Sequence, residues 1–401
     1  METATCLSEA AALGPNEQEF ARRFKRRTET ALTLASQPAR PCQPPLPPSY
    51  QLLDDVELDV RLTRARALLG RRVVVLGHHY QRDEIIKFAD FRGDSFQLAR
   101  QAASRRDAEF IVFCGVHFMA ESADLLSGPE QQVILPNLEA GCSMADMAQL
   151  EAVDECWQAV SSLGGSSILP VTYINSSADV KAFCGAHGGA VCTSANASAV
   201  LSWALDHGER VLFLPDEHLG RNTARRLGLD PAAVVLWDPA EPQGGIDAGE
   251  PRRARLILWK GYCSVHMRFT TAQIAKAREC QPGVSVVVHP ECRSEVVLAA
   301  DAVGSTEFIA KTIREAPAGS QWAVGTEVQF VNRLAKEHPD KQVSCLDPVV
   351  CPCSSMYRIH PSYLLWVLER LLADEVVNRI VVPTAVAKWA RIALDRMLAI
   401  T

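Results

Sequence analysis

The chain has 401 residues, of which 48% are hydrophobic and 22% charged, and this is long enough for two or three hydrophobic cores. It has no run of about 18 apolar residues that could span a membrane. A net charge of −6 without a basic stripe argues against a nucleic-acid partner. Thirteen cysteines at irregular spacing are unlike a secreted disulfide framework. We therefore expect a soluble cytoplasmic protein whose thiols are buried, catalytic or metal-ligating.

The first segment, residues 1–55, is predicted to be a Pro-rich extension without chemistry. Residues 1–13 lack the basic start of a signal peptide. Residues 17–34 have the pattern of a basic amphipathic helix. Prolines crowd residues 37–50, which indicates an extended linker.

Beyond this extension, β-branched runs alternate with helical stretches, a pattern typical of parallel α/β units. The expected strands, in chain order, are 72–77, 109–115, 132–136, 167–173, 190–194, 210–215, 233–237, 255–258, 284–288, 302–305, 322–325 and 342–345. Helices are expected over 144–163 and 361–372, and one more strand and helix within 380–397.

A weak internal repeat of about 100 residues indicates three related units. We predict an α/β fold of three homologous, parallel, Rossmann-like three-layer domains around a pseudo-threefold axis and a central cavity. The domains cover 56–147, 148–267 and 268–360, and the second carries a Pro/Gly/acid-rich insertion at 238–250. A C-terminal segment, 361–401, is expected to pack back on the first domain.

Each third ends its first strand with polar side chains, then offers a hydroxyl before a helix, and closes with a cysteine. The strand-end residues are His78, Tyr80, Tyr173, Asn175, His289 and Glu291. The hydroxyls are Ser95, Ser194, Ser305 and Thr306, and the closing cysteines are Cys142, Cys263 and Cys353. Because α/β sheets bind ligands at the carboxyl ends of their strands, we expect these residues to face the central cavity.

Three thiolates that converge from separate domains suit a metal centre with a vacant position. Tetrahedral zinc with three protein ligands and water fits, and so does a 4Fe–4S cluster on three cysteines, whose fourth iron is a Lewis acid. Ligation by thiolates alone favours iron–sulfur. Buried cysteines that only pack are the alternative. Cys292 is a rival ligand, and either Cys351 or Cys353 could serve, with the other free to pair with Cys345.

The hydroxyls and the strand-end residues suit substrate binding and proton transfer. Free N–H groups at a helix start bind phosphate or carboxylate, although a plain N-cap is the commoner role of any one hydroxyl. A glutamate in a dehydrated site can be tuned to act as a base. The polar run His289-Pro290-Glu291 after an apolar strand indicates such use.

With these residues laid out, the chain resembles the quinolinate synthase family, the A proteins of NAD biosynthesis. The match covers roughly residues 73–372 in family order. The motifs are LGHHYQ (76–81), GDS (93–95), VFCGVHFMAE (112–121), LPNLEAGCSMADM (135–147), TYINS (172–176), TSAN (193–196), PDEHLG (215–220), GYCSVH (261–266), HPEC (289–292) and GST (304–306). His79 stands where many relatives have Asn.

The resemblance implies a transferase that condenses iminoaspartate with dihydroxyacetone phosphate to quinolinate, releasing phosphate and two waters. It implies a 4Fe–4S cluster on Cys142, Cys263 and Cys353, since Cys353 and not Cys351 has the family's spacing to Met356. The catalytic residues it implies are Tyr80, Glu291, His78 and His289. The substrate-binding residues it implies are His78, Ser95, Tyr173, Asn175, Ser194, His289, Glu291, Ser305 and Thr306.

The expected partners are therefore small molecules, with functional coupling to an aspartate-oxidising enzyme and no membrane or nucleic acid. The alternative is a non-catalytic iron–sulfur or zinc sensor on the same fold. A sensor has no need of Tyr80, His289, Glu291 and anion-binding hydroxyls around its metal, so the enzyme is favoured.

Overall fold

The computed structural model describes residues 42–162, 167–246, 253–349 and 351–400, all within one unit, Ala39–Thr401. The amphipathic helix expected over 17–34 lies outside the described residues, and so does the end of the insertion expected over 238–250. None of the helices in the described ranges is long and apolar enough to cross a membrane.

Strands of the described residues form three sheets. The strands are β1 (Val73–His78), β2 (Phe91–Gly93), β3 (Phe110–Cys114), β4 (Gln132–Ile134), β5 (Ile168–Tyr173), β6 (Ala190–Cys192), β7 (Arg210–Leu214), β8 (Val234–Trp237), β9 (Leu256–Trp259), β10 (Ser285–Val288), β11 (Ala302–Val303), β12 (Gln321–Gly325), β13 (Gln342–Cys345) and β14 (Arg379–Ile380). Their orders are β14-β4-β3-β1-β2, β6-β5-β7-β9-β8 and β11-β10-β12-β13.

Helices follow most of the strands. They are α1 (Pro48–Gln51), α2 (Asp55–Leu69), α3 (Asp83–Ile86), α4 (Ser95–Ser104), α5 (His117–Leu126), α6 (Ser143–Asp146), α7 (Leu150–Ser162), α8 (Ala178–Ala186), α9 (Ala197–His207), α10 (Glu217–Arg226), α11 (Thr271–Cys280), α12 (Ser294–Ala299), α13 (Thr306–Glu315), α14 (Val328–Glu337), α15 (Ser354–Tyr357), α16 (Pro361–Leu372) and α17 (Thr384–Ala399).

The first three strands of each sheet share one order, which confirms the α/β fold class with repeated parallel units. In each sheet the first strand in the chain (β1, β5 or β10) lies between the second and the third, and all three pair in parallel. We call the sheets, with their helices, the first, second and third units. In such an order the second and third strands lie on opposite sides of the first strand. A crevice that binds ligands then forms outside the carboxyl end of the first strand.

The central strands are buried on both faces, as parallel strands covered by helices must be. All six residues of β1 and all five of β7 are buried, and their sequences are accordingly continuous apolar runs. Side chains such as Asp94, Ser177 and Asp216 then accept the free N–H groups of α4, α8 and α10, so each chain segment passes directly from strand end to helix.

Two local expectations were wrong. The helix expected over 144–163 is divided into α6 and α7, because the Met147 carbonyl accepts a hydrogen bond from Trp259 Nε1 at 2.9 Å and the chain turns there. Strand β2 was not expected, since Phe-Arg-Gly has no apolar run. It forms by pairing with β1, beside Asp90, whose carboxylate accepts the Val75 N–H at 2.7 Å.

The end of the chain contacts two units. Helix α16 packs on α2, and β14 pairs antiparallel with β4, so both belong to the first unit. Helix α17 packs on α8 of the second unit. At Gly185 of α8 an added Cβ would lie 2.0 Å from the Trp389 carbonyl oxygen, so this close helix crossing requires glycine.

Candidate active site

A cavity lies where strand ends of the three units meet. All the residues predicted for the site line this cavity except Ser305. They are His78, Tyr80, Ser95, Cys142, Tyr173, Asn175, Ser194, Cys263, His289, Glu291, Thr306 and Cys353. The hydroxyl of Ser305 instead accepts the Phe308 N–H at 3.3 Å and caps α13, so the structure places it in the helix rather than in the cavity wall.

The three cysteines occupy similar local structures. Cys142 and Cys353 stand directly before the short helices α6 and α15, and backbone N–H groups two and three residues further on donate to each sulfur. Cys263 receives one such bond, from His266 N–H. Backbone donors of this kind stabilise a thiolate.

The thiols are close enough for their charges to interact. Burial raises the pKa of Cys142 to about 12, and a charge on Cys353 raises it as well. Burial also raises the pKa of Cys263 well above its usual range, with contributions from Glu291 and from both other cysteines. Thiols held together in a dry cavity are unfavourable as free thiolates, and a bound cation or cluster would compensate their charge.

The donor set fits a cysteine-ligated cluster. Of the rival ligands, Cys292 is buried away from the cavity, with its sulfur 3.8 Å from the Gly325 carbonyl, and Cys351 is exposed. Within the described ranges every cysteine is a free thiol, Cys345 included. Among the described residues, the group of potential ligands whose atoms all lie within 4.8 Å of one another is a different one, Cys263, His266 and Glu291.

Two histidines at the ends of β1 and β10 are held in the same tautomer. The Tyr80 N–H donates to His78 Nδ1 at 3.1 Å, and the Glu291 N–H donates to His289 Nδ1 at 3.4 Å. Because a backbone N–H can only donate, each Nδ1 is an acceptor, and each ring carries its proton on Nε2. Burial lowers the pKa of His78 well below its usual range and that of His289 to about 3, so both are neutral hydrogen-bond donors.

A line of side chains connects Tyr80 to Glu291 across the first, second and third units. The Tyr80 hydroxyl lies 2.8 Å from Thr326 Oγ1, and Thr326 Oγ1 lies 3.2 Å from His266 Nε2. His266 Nδ1 lies 2.6 Å from Glu291 Oε2. All four residues are buried or largely buried, so this line of close polar groups is shielded from bulk water.

The charges on this line differ at its two ends. Burial and the Glu291 charge raise the pKa of Tyr80 well above its usual range, so Tyr80 holds its proton. Burial alone would raise the pKa of Glu291, but His289 and His266 outweigh it and lower that pKa. Glu291 is therefore the anionic end of the line.

The second unit contributes further polar groups to the cavity, and Tyr173 hydrogen-bonds Glu291. Burial and the Glu291 charge raise the pKa of Tyr173, which also hydrogen-bonds Ser194. Asn175 Oδ1 is buried and has no hydrogen-bond partner among the described residues. A buried polar atom without a partner at a cavity wall indicates a bound ligand that would satisfy it.

Two helix starts also open on the cavity. Ser95 and Thr306 are the first residues of α4 and α13, each a helix of ten residues, and both line the cavity. Their hydroxyls lie at the positive ends of helix dipoles, which favour an anion.

Sequence reasoning missed Thr326, which connects Tyr80 to His266. A signal was available, because Thr326 directly follows β12, and the rule that selected the ends of β1, β5 and β10 applies there as well. It also missed Arg333, a buried cation of α14 that binds Asp83 and the His79 and Gln81 carbonyls. Nothing in the spacing of Arg333 marks this role, since the contact joins two units.

A buried acid–base line and three convergent thiols in the crevice of three α/β units define an α/β enzyme. The model of the quinolinate synthetase A protein (NadA) family matches residues 62–399, and the chain belongs to this family. It is 58% identical over 361 residues to the quinolinate synthase of Corynebacterium glutamicum, covering 90% of this chain and 92% of that protein. The quinolinate synthase of Nocardioides sp. is 55% identical over 375 residues, covering 92% and 94%. That of Streptomyces coelicolor is 55% identical over 350 residues, covering 86% and 89%.

Proposed function

We propose that this enzyme condenses iminoaspartate with dihydroxyacetone phosphate to quinolinate in NAD biosynthesis, releasing phosphate and two waters. The observation that carries the proposal is the convergence of three thiols and a proton-transfer line on one cavity, in a chain of the quinolinate synthetase A protein family. The domains are those predicted over 56–147, 148–267 and 268–360, each contributing one cysteine.

Cys142, Cys263 and Cys353 would hold a 4Fe–4S cluster. Their fit rests on three convergent sulfur donors, each with backbone N–H support. When bound, a cluster with three cysteine ligands supplies an iron with an open coordination position, a Lewis acid for an oxygen that must leave.

The substrates bring two carboxylates and a phosphate, and the cavity offers neutral donors for them. His78 and His289 donate from Nε2 and Ser194 donates from the second unit, while Asn175 Oδ1 can accept from an N–H or O–H of the substrate. The helix starts at Ser95 and Thr306 suit the phosphate, the group with the largest charge. Neutral donors bind an anion without the tight pairing that would hold the product in the site.

Proton transfer falls to the line that begins at Tyr80. Because Tyr80 keeps its proton, it can donate to a leaving hydroxide or phosphate oxygen. Thr326 and His266 then replace that proton, and Glu291 stabilises the protonated His266 that supplies it and that is left neutral by the transfer. The same line in reverse accepts protons lost from carbon as the ring becomes aromatic. Iminoaspartate hydrolyses readily in water, so functional coupling to an aspartate-oxidising enzyme would supply it.

The test begins with anaerobically purified full-length protein. Iron and sulfide are counted per chain, quinolinate formation is assayed, and Mössbauer spectra are recorded with and without quinolinate. Four irons, one of them shifted by quinolinate, together with turnover, are the expected result. Zinc alone, or iron that quinolinate does not affect, would contradict the proposal. A cluster without turnover would favour the sensor.

The role of Glu291 is tested by Glu291→Gln, which keeps the size of the side chain and removes its charge. Turnover should be abolished while the iron content is unchanged. A variant with full activity would remove Glu291 from the proton-transfer line and leave the cluster assignment intact.

A further inference from the structure

Three potential metal ligands lie together at the anionic end of the proton-transfer line. The sulfur of Cys263, a ring nitrogen of His266 and a carboxylate oxygen of Glu291 all lie within 4.8 Å of one another. Cys263 and His266 follow β9 of the second unit, and Glu291 follows β10 of the third. We call these three residues the mixed-ligand site, because they offer one sulfur, one nitrogen and one oxygen.

The mixed-ligand site is spaced for a single ion. Tetrahedral zinc holds its ligands at about 2.0–2.3 Å, so the ligand atoms lie about 3.3–3.8 Å from one another. His266 Nδ1 and Glu291 Oε2, now 2.6 Å apart, would have to separate by only about 1 Å. In the described part of the chain, Cys142, Cys263 and Cys353 do not form a group of atoms all within 4.8 Å. The spacing therefore favours the mixed-ligand site over the three thiols for one ion.

Neighbouring groups already orient the ligands. His266 Nε2 lies 3.2 Å from Thr326 Oγ1, and a proton on Nε2 leaves the lone pair of Nδ1 for an ion. The His289 ring stacks on the His266 ring with 4.5 Å between centroids. The His266 N–H donates to the Cys263 sulfur. Contacts of this kind fix metal ligands in place and raise their affinity.

The charges also suit a divalent cation. A thiolate and a carboxylate carry two negative charges and the imidazole none, so a bound divalent ion would be neutralised, as burial demands. Glu291 is 2% exposed, and its Oε1 is buried without a hydrogen-bond partner among the described residues. A buried acceptor of this kind indicates a ligand that would satisfy it. Cys263 and Glu291 line the cavity, so an ion can reach them.

We propose that the mixed-ligand site binds a divalent cation of the zinc class when the chain carries no cluster, and that this ion keeps the enzyme inactive. A ligand set with sulfur and nitrogen suits zinc, whereas magnesium and calcium prefer oxygen alone. The ion would take Cys263 from the cluster and replace the proton between His266 and Glu291. Ion binding is independent of the proposed function, and only the inhibitory effect rests on it.

The first experiment determines the ligands of the bound ion. The full-length chain is freed of iron with a chelator under anaerobic, reducing conditions, given one equivalent of Zn²⁺ and passed through a desalting column. X-ray absorption at the zinc edge should then show one sulfur ligand, with nitrogen and oxygen in the other positions. Two or more sulfur ligands, or loss of the zinc on the column, would overturn the proposal.

Variants then locate the ion, with Co²⁺ as a coloured substitute that Zn²⁺ displaces. His266→Ala and Glu291→Gln should each weaken Co²⁺ binding by at least about tenfold. Cys142→Ser is the matched control, because it removes a cavity thiol outside the mixed-ligand site, and its affinity should stay within about twofold of the wild type. Unchanged binding by His266→Ala, or an equal loss in Cys142→Ser, would overturn the assignment. The zinc-edge result on the wild type stands even where a variant fails to fold.

A reconstitution experiment tests the inhibition. Iron-free protein, with or without one equivalent of Zn²⁺, is incubated anaerobically with Fe²⁺ and sulfide. Zinc should lower iron uptake by about tenfold in the wild type, but not in His266→Ala, which keeps all three cysteines. Full iron uptake with the zinc retained would overturn the inhibitory role. If zinc-free protein took up no iron, the proposed function would fail, and the zinc ligands would still be decided by X-ray absorption.

Discussion

The first unit meets the third and the second through contacts of different kinds. Its contact with the third is polar: Arg333 and Lys336 of α14 both bind Asp83, at 2.9 and 2.6 Å, and Arg92 binds Glu337 at 2.6 Å. Its contact with the second is mostly made by backbone and by close helix packing. We call the contact with the third unit the polar seam, and it lies beside the line of side chains from Tyr80 to Glu291. We call the contact with the second unit the packed seam, and it lies beside the cavity wall.

The polar seam fixes Tyr80 from both sides. Arg333 binds the carbonyls of His79 and Gln81, the residues on either side of Tyr80 in the chain. Thr326 lies 2.8 Å from the Tyr80 hydroxyl. Tyr80 thus belongs to the first unit by sequence but is positioned by the third. A small shift between these units would move the proton donor relative to the substrate.

The contacts of the packed seam named here do not hold Tyr80. Glu121 of α5 accepts the Ala178 N–H at the start of α8 at 3.0 Å, and α17 closes over α8 at Gly185. We conclude that the contact with the third unit positions Tyr80, whereas the contact at Gly185 is one of packing. The predictions below test this difference, from the largest expected effect to the smallest.

Removing the Tyr80 hydroxyl should have the largest effect. Tyr80→Phe keeps the ring in the cavity and deletes the proton donor, so kcat should fall by about 10²- to 10⁴-fold. Iron content and thermal stability should stay near those of the wild type. A fall of kcat of less than about tenfold would assign the proton to another group.

Arg333 should affect turnover although it lies outside the cavity. Arg333→Met leaves two carbonyls and Asp83 without their buried partner, so we expect kcat to fall by about 10- to 100-fold as Tyr80 loses its position. Lys336→Met is the matched control, because Lys336 shares Asp83 but touches neither carbonyl, and its exposed ion pair should contribute less than about 1 kcal/mol. Equal losses of kcat in the two variants would show that turnover depends on the ion pairs with Asp83 and not on the hydrogen bonds from Arg333 to the His79 and Gln81 carbonyls.

The packed seam should respond in stability and not in turnover. Gly185→Ala places a Cβ 2.0 Å from the Trp389 carbonyl oxygen, and separating α8 from α17 should lower the free energy of unfolding by about 1–3 kcal/mol. This outweighs the gain of about 1 kcal/mol that alanine brings to a helix. In the control Gly128→Ala the added Cβ meets side-chain atoms of Arg106 and Gln131 at 2.9 Å or more and no backbone atom. If the folded Gly185→Ala variant had a kcat well below that of the wild type, the packed seam would affect turnover as the polar seam does, and the two contacts would not differ in this respect.

Part of this organisation could be predicted from sequence, for physical reasons. A strand that is buried on both faces consists largely of apolar residues, so it can be recognised in the sequence. Polar residues at its end lie at the carboxyl edge of the sheet, and His78, Tyr173 and His289 could therefore be placed at a cavity. Thr326 directly follows β12 and could have been selected by the same rule, whereas Arg333 was missed because its role arises from contacts between units, which spacing along one chain does not report. The division of 144–163 has the same origin, since Trp259 of another sheet takes the Met147 carbonyl.

The smallest expected effect concerns the pH dependence of stability at His289. Burial lowers the pKa of His289 to about 3 in the folded protein, whereas in the unfolded chain it titrates near 6.5. Between these values only the unfolded state binds the proton, so stability falls as pH falls. From pH 7 to 5.5 the loss in the free energy of unfolding from this one site should be about 1 kcal/mol.

His289→Gln cannot titrate, so denaturant unfolding at both pH values should show a loss in the free energy of unfolding that is smaller by that amount than in the wild type. Equal losses would mean that His289 takes up a proton in the folded state, and the cavity wall of the third unit would then carry a charge instead of the neutral donor inferred here.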